Sequence, residues 1–396
     1  MRMLLTTTPF TGHINPLIPL ARAARDAGHA VAFACAPSLH PTAERDGFAT
    51  FPVGFDMRGR SPRDLFAGWH AAPPGEISYW FWRHMFVEVF AAAMVPDLLT
   101  LAREWRPDVI VREAAEHGGC VAAEVLDLPH ASVRSGAEPS SFMLRTVIAQ
   151  PLAALRARHG LPPDPDVVMP FRYLHLAAEP PGFLLPGDTR PPTAHLLRPP
   201  TFEDVGDGLP AWVAGLPDRP TIYVTLGTLS HTYPAARALF AAILAALRDE
   251  PMNLVVTVGR DGDAAQFGPQ PPNVHIARYI PQSMLLPHCD LVIDQGGFNT
   301  VTGVLAAGLP PVFTPLGADQ PLNAACCAAL GAGRVLGPEE RTPAIIRSTV
   351  RDVLANDAYR AAAERVRDEM AALPGPGRAV EILERLAQEK APVLSG

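Results

Sequence analysis

Residues Tyr279 to Asn323 read YIPQSMLLPHCDLVIDQGGFNTVTGVLAAGLPPVFTPLGADQPLN, and this stretch decides the fold. Asp290–Ile293 has the length and apolarity of a strand buried on both faces. Gln295-Gly296-Gly297 follows, a turn in which backbone can approach a ligand closely. The spacing predicts a helix over Thr300–Ala307, stopped by Gly308-Leu309-Pro310. Strand, double glycine and helix N-terminus make an anion site, because unpaired N–H groups and the positive end of the helix dipole converge there. After the next short strand, Gly317-Ala318-Asp319-Gln320 brings polar groups to a strand's carboxyl end, where open α/β sheets bind ligands.

Working outward, the first half opens with a strand over Met3–Thr7. The loop Gly12-His13-Ile14-Asn15-Pro16 leads into a helix, with Asn15 predicted as N-cap and Pro16 at the first helical position. Gly28 ends that helix and Ala30–Ala34 is the next strand. This βαβ unit predicts a doubly wound parallel sheet. His13 then lies at a strand's carboxyl end, where a helix N-terminus disfavours imidazolium and leaves a neutral base. From position alone, a His that merely ties the loop is an equal reading. Pro107–Glu113 reads as a strand ending in charge, and Glu116 or His117 close behind it is an alternative residue for the cleft. Thr221–Leu226 opens a second sheet and ends in Gly227-Thr228, a small hydroxyl-bearing turn suited to a phosphate.

These motifs resemble the donor-binding signature of GT-B nucleotide-sugar glycosyltransferases, and more narrowly the actinobacterial natural-product branch. The resemblance rests on Tyr279, Pro281, Gln282, Gly296, Gly297, Asn299, Thr300, Asp319 and Gln320, together with the Gly12–Pro16 loop. It implies two Rossmann-like α/β domains facing across a cleft. Residues 1–205 would bind acceptor, 206–220 link the domains, 221–375 bind donor, and 376–396 form a helix crossing back to the first domain. It implies an inverting transfer from a dTDP-sugar to a hydroxyl of a lipophilic aglycone, without cofactor or metal. His13 would be the general base and Glu113 its orienting acid, at a position where Asp is commoner. Tyr279 would stack on the nucleobase and Ile280 would contact it through its backbone. Thr228, Gln282, Gln295, Gly296, Gly297, Asn299, Thr300, Asp319 and Gln320 would hold the rest of the donor. Gln295 departs from the family, which usually has His there. Gln still donates a hydrogen bond but carries no charge, so leaving-group stabilisation is expected to be weaker.

Between Asp56 and Phe90 the pattern loosens and aromatic residues crowd together. Trp69, Trp80, Phe81 and Phe86 are candidates for a wall against the acceptor, as is Ser135 after the strand His130–Val133. Tyr79, Trp82, Phe86 and Phe90 also fit one face of a core helix. Proline is dense from Pro162 to Pro220, as in an irregular connection.

The bulk composition agrees with this reading. The 396 residues suffice for two domains, hydrophobic content is 48%, and the net charge is −7 with both signs interspersed. No basic block points to nucleic acid. No signal peptide and no run of about 18 apolar residues is read, so a cytoplasmic protein without a membrane span is expected. A homodimer is left open. The five cysteines have neither disulfide nor metal spacing. Three rival readings remain. The first is a sugar-nucleotide epimerase of similar architecture, which needs no lipophilic acceptor wall. The second is an enzyme forming C- or N-glycosides. The third is a non-catalytic auxiliary protein, for which Gln295 leaves room and against which His13, Asp319 and Gln320 speak.

Overall fold

A computed structural model describes residues 1–58, 60, 65, 66, 68, 76–134, 136, 138, 140–200, 208–227, 234–260 and 262–395. The chain forms two compact units. The first contains residues 1–179, 186–200 and 373–396, and the second contains 180–185 and 201–372.

The first unit is built on seven strands: β1 Arg2–Thr6, β2 Ala30–Cys35, β3 Ala49–Pro52, β4 Val109–Glu113, β5 His130–Val133, β6 Leu174–Ala178 and β7 Ala194–Leu197. All pair in parallel, in the order β3-β2-β1-β4-β5-β6-β7. The order reverses direction between β1 and β4, where Thr6 lies beside Arg112. Strands such as Val109–Val111 are apolar on both faces and fully buried, because helices cover the sheet on both sides.

The second unit carries β8 Thr221–Thr225, β9 Asn253–Thr257, β10 Val274–Ala277, β11 Leu291–Asp294, β12 Pro311–Phe313 and β13 Arg334–Val335. They are parallel in the order β10-β9-β8-β11-β12-β13, with Thr225 beside Asp294 at the reversal between β8 and β11. Alternation along β8 divides the core. Ile222 and Val224 pack with the helices Pro234–Leu247 and Pro343–Ala355, and Tyr223 packs on the other face with Ile280 and Leu286. Each such side chain contributes about 1.5–3 kcal/mol on burial.

Local differences from the sequence reading have identifiable causes. The helix after β1 spans Leu17–Asp26, and Asn15 is itself helical, so its side chain caps nothing. A short turn, Thr11–Ile14, precedes it and carries His13. The helix after the double glycine starts earlier than expected, at Phe298, because Gly297 is extended and serves as N-cap. The aromatic segment is helical from Ile77 onward, with π-helical hydrogen bonding over Phe81–Ala91 running into the helix Ala92–Trp105. One window of Phe81–Trp105 reaches a mean hydropathy of 1.7, long and apolar enough to cross a membrane, although the sequence reading saw no such run. Half of that window is buried inside the protein, as in a core helix, with Trp82, Met85, Phe86, Phe90 and Leu98 inward.

The C-terminal helix Pro376–Glu389 belongs to the first unit and packs on Leu17–Asp26. His29 Nε2 meets Glu384 Oε1 there at 2.9 Å.

Candidate active site

In open α/β sheets the carboxyl ends of the two strands flanking the reversal diverge and leave a crevice. In the first unit these ends are Thr6 and Glu113. The loop after β1 brings His13 back over β4, and His13 Nδ1 lies 3.0 Å from Glu113 Oε1. Thr8 ties the pair together. Its hydroxyl donates to Glu113 Oε1 at 2.8 Å and lies 3.0 Å from His13 Nδ1. The second carboxylate oxygen, Oε2, accepts from the Ala115 N–H at 2.8 Å.

Glu113 is fully buried, while the His13 side chain is 15% exposed. Burial alone would raise the Glu113 carboxyl. The His13 charge and its hydrogen bond, with those from Ala115 and Thr8, outweigh burial and hold the pKa below the usual carboxylate range. A carboxylate on Nδ1 favours the tautomer with its proton on that nitrogen and the lone pair on Nε2. The pair can therefore accept a proton at Nε2 and stabilise the resulting imidazolium.

Glu116 and His117, the other polar residues after β4, are buried at 2% and 0% exposure and do not open to solvent. Burial raises the Glu116 carboxyl, against the hydrogen bond that Thr6 donates at 2.6 Å. Burial, helped by the Arg112 charge, pushes His117 down to about 3, so this ring is neutral.

Aromatic rings surround the His13 loop. Phe10 stands 5.4 Å from His13 between ring centroids, and Phe86 stands 6.0 Å away. The π-helical turn stacks residues five apart, which brings Phe81 to 5.3 Å from Phe86 and 6.2 Å from Phe10. Of the acceptor candidates, Phe81 is half-buried beside this cluster and Phe86 is buried within it. Trp80 lies farther out, against Phe66 and His84. Trp69 and Ser135 fall outside the described residues, as does Thr228 of the second unit.

In the second unit the crevice ends are Gly227, after β8, and Asp294 at the end of β11 with Gln295–Gly297 after it. Gly296 has φ +89°, and a β-carbon there would stand 2.7 Å from the Gln320 carbonyl oxygen, so only glycine fits. Gln295 is 6% exposed, and its amide nitrogen crowds the places that β-carbons on Gly227 and Gly297 would take. Asn299 and Thr300 occupy the first turn of the nine-residue helix Phe298–Ala306. Asp319 stands at the N-cap position of the helix Gln320–Ala329, where its carboxylate accepts from Asn323 Nδ2 at 2.8 Å and from no backbone N–H of the first turn. Asn323 Nδ2 also donates to the Gly296 carbonyl at 3.0 Å, which links the two loops. Gln320 turns its carboxamide oxygen to the N–H groups of Leu316 and Gly317, at 2.7 and 3.1 Å. That oxygen braces the loop, in which Ala318 takes a left-handed φ of +56°.

Tyr279 is half-buried beyond β10, Ile280 is buried in the core, and Gln282 opens the turn Gln282–Leu285. The loop after β9 delivers one residue to which the sequence reading gave no role. Arg260 stacks its guanidinium on the Tyr279 ring, 3.7 Å from the centroid. The signal available was its place between Gly259 and Gly262 at the end of the neighbouring strand.

Comparison with known proteins identifies the fold and the family. Family models match at two places. Residues 80–165 match the erythromycin biosynthesis protein CIII-like N-terminal domain, and 241–386 match its C-terminal domain. The chain is 30% identical to 10-deoxymethynolide desosaminyltransferase of Streptomyces venezuelae, covering 98% of each chain. It is also 30% identical to aklavinone 7-beta-L-rhodosaminyltransferase of Streptomyces galilaeus, covering 99% of this chain and 97% of that one. Among solved structures it resembles the glycosyltransferase SnogD from Streptomyces nogalater, at 31% identity and TM-score 0.79, over 98% of this chain and 99% of that one. It also resembles the glycosyltransferase VinC in complex with dTDP, at 27% identity and TM-score 0.78, over 98% and 100%. The fold is GT-B, and a protein of this class with these relatives is a glycosyltransferase. The chain belongs to the erythromycin biosynthesis protein CIII-like family, the nucleotide-sugar glycosyltransferases of antibiotic pathways.

Proposed function

We propose that this enzyme moves a deoxysugar from a dTDP-sugar to a hydroxyl of a lipophilic natural-product aglycone, with inversion at the anomeric carbon. The observation that carries the reading is the His13–Glu113 pair at the reversal of the first sheet, 3.0 Å apart. His13 Nε2 takes the acceptor O–H proton as the oxygen bonds to the anomeric carbon, and the bond from that carbon to the diphosphate breaks. Glu113 keeps the imidazole in the required tautomer and stabilises the imidazolium. One displacement inverts the centre.

In the second unit, the helix N-terminus at Phe298, the Gly296–Gly297 backbone, Gln295 and the hydroxyls of Thr228 and Thr300 take the departing diphosphate. Asp319 hydrogen-bonds the sugar and Tyr279 stacks on the base. The nucleotide assignment is supported by VinC, whose structure holds dTDP, and by the spinosyn rhamnosyltransferase SpnG, solved with thymidine diphosphate. The aglycone assignment is supported by SpnG solved with spinosyn aglycone and by the aromatic rings around His13. The reading is metal-independent, because N–H and O–H donors meet the leaving group's charge.

Incubation with a panel of dTDP-sugars and polyketide aglycones tests it. The expected result is a glycoside of inverted configuration from the native protein and a loss of about 100-fold or more in His13→Ala. Binding of dTDP without transfer or hydrolysis across the panel would mark a non-catalytic relative instead.

A further inference from the structure

We propose that Arg112, buried beneath the site and in contact with no substrate, is the positioning residue of the His13–Glu113 pair. The proposal rests on the reading of His13 as base.

Arg112 is among the largest side chains that the fold buries completely. Its Nη donors go to main-chain carbonyls and not to carboxylates, while the buried Nε has no hydrogen-bond partner among the described residues. Nη1 reaches the carbonyl oxygens of Glu113, Ala114 and Glu116 at 3.3, 3.0 and 2.9 Å, and Nη2 reaches that of Pro170. One guanidinium thus gathers the whole turn after β4 and pins it to the segment Met169–Phe171. Burying a guanidinium costs several kcal/mol, and a residue that only filled this volume would be apolar. The two terminal nitrogens do what an apolar side chain cannot: Nη1, with two N–H groups, serves the three converging carbonyls by sharing one bond, and Nη2 spans to the Pro170 carbonyl.

That turn carries both buried carboxylates. Glu113 meets Thr8 and His13. Glu116 accepts from the Thr6 hydroxyl and from the Gly119 N–H, the latter at 2.9 Å. Gly118 and Gly119 make room for it, since β-carbons there would stand 2.9 and 2.5 Å from its oxygens. The end of β1 is therefore laced to the turn by alternate threonines, and Arg112 holds the turn from below. Without the fork the three carbonyls lose their partner in a dry interior, and the turn must shift to find others. A displacement of about 1 Å at Glu113 is enough to cost up to about 100-fold in rate.

The test compares native enzyme with Arg112→Met and Arg112→Lys in the full-length protein. The readouts are the His13 imidazole pKa by NMR, assigned with His13→Ala, then kcat, and the Kd for dTDP. Glu113 faces this imidazole, and Glu116 and His117 are the charge neighbours of Glu113, with Arg112 acting on both of them. With Glu113 displaced, the His13 pKa should fall by about one unit, because the carboxylate that favours imidazolium has moved. The expected kcat loss is about 10-fold or more, with Kd for dTDP within about twofold of native. Lysine keeps the charge but lacks the second nitrogen that pins the turn to Pro170, and should show the same changes.

A folded Met or Lys variant with native His13 pKa and kcat overturns the proposal. So does failure of both variants to fold, which would make Arg112 a residue of the fold alone. If His13→Ala still transfers sugar, the base reading fails, while the NMR shift still decides whether Arg112 positions the pair.

Discussion

The Gln295 carboxamide nitrogen lies against Gly227, in the space a β-carbon there would need, and stands 2.7 Å from where one on Gly297 would be. The two turns come from adjacent parallel strands, β8 and β11, so one side chain is wedged between both halves of the proposed anion site.

Gly227→Ala should therefore displace Gln295 and disturb both turns. Gly227 also has φ +79°, which a β-carbon strains by about 1–2 kcal/mol. Isothermal calorimetry should show dTDP affinity reduced by about 10-fold or more. Unchanged affinity in a folded variant would mean that the Gln295 carboxamide has no part in the anion site.

Gln295→His replaces a neutral donor with one that can carry charge. Donor affinity or turnover should rise or hold. The gain should grow as pH falls through the histidine's own pKa, near 6.5 when unperturbed, because imidazolium favours the diphosphate. Collapse of both quantities in a folded protein would contradict the assignment of Gln295 to the leaving group.

Glu113→Gln keeps the size of the partner but removes its charge. The carboxamide does not enforce the Nδ1–H tautomer or stabilise the imidazolium. We expect kcat to fall about 100-fold or more with donor Kd unchanged. Steady-state kinetics with calorimetry separates the two.

Asp294 supplies a pH test that does not depend on turnover. Its carboxyl is fully buried, with Oδ1 accepting the Gly296 N–H at 2.5 Å, and burial pushes the pKa up to about 7 against that bond. The folded state holds this proton up to about pH 7, whereas the unfolded chain releases it near 3.8. The associated stability is complete below the unfolded value and is lost as pH rises through 7, by about 4 kcal/mol at most. Asp294→Asn should raise the melting temperature at pH 8 relative to native and show a much smaller difference at pH 4. A difference independent of pH would refute this account.

Transfer should be insensitive to EDTA under the proposed reading, in which hydrogen-bond donors and a helix terminus meet the leaving group's charge. Loss of activity that Mg²⁺ or Mn²⁺ restores would point to a metal at the diphosphate.

Much of this was legible in the chain. The strands at both reversals are short apolar runs punctuated by Gly and Pro, and local physics suffices to place His13, Glu113 and Gly296–Gly297 at carboxyl ends. The helical spacing of Trp82, Phe86 and Phe90 was also readable, and their rings pack together. The π-helical widening was not, because it adds the five-apart contact of Phe81 with Phe86, which an α-helical pattern does not anticipate.

What the sequence determined by itself was the family and the residues at the strand ends flanking each reversal, but not β6 and β7, which lie within the proline-rich stretch read as an irregular connection and are seen only in the folded sheet. What tertiary structure decided was which of those residues meet. Thr8 and Glu113 are 105 positions apart, and only the parallel pairing of β1 with β4 brings hydroxyl, carboxylate and imidazole together. The same holds for Arg260 on Tyr279, for Gln295 between two turns, and for an arginine spent on main-chain carbonyls. Local propensity sets backbone conformation over a few residues, whereas burial and charge pairing depend on neighbours that only the folded sheet supplies.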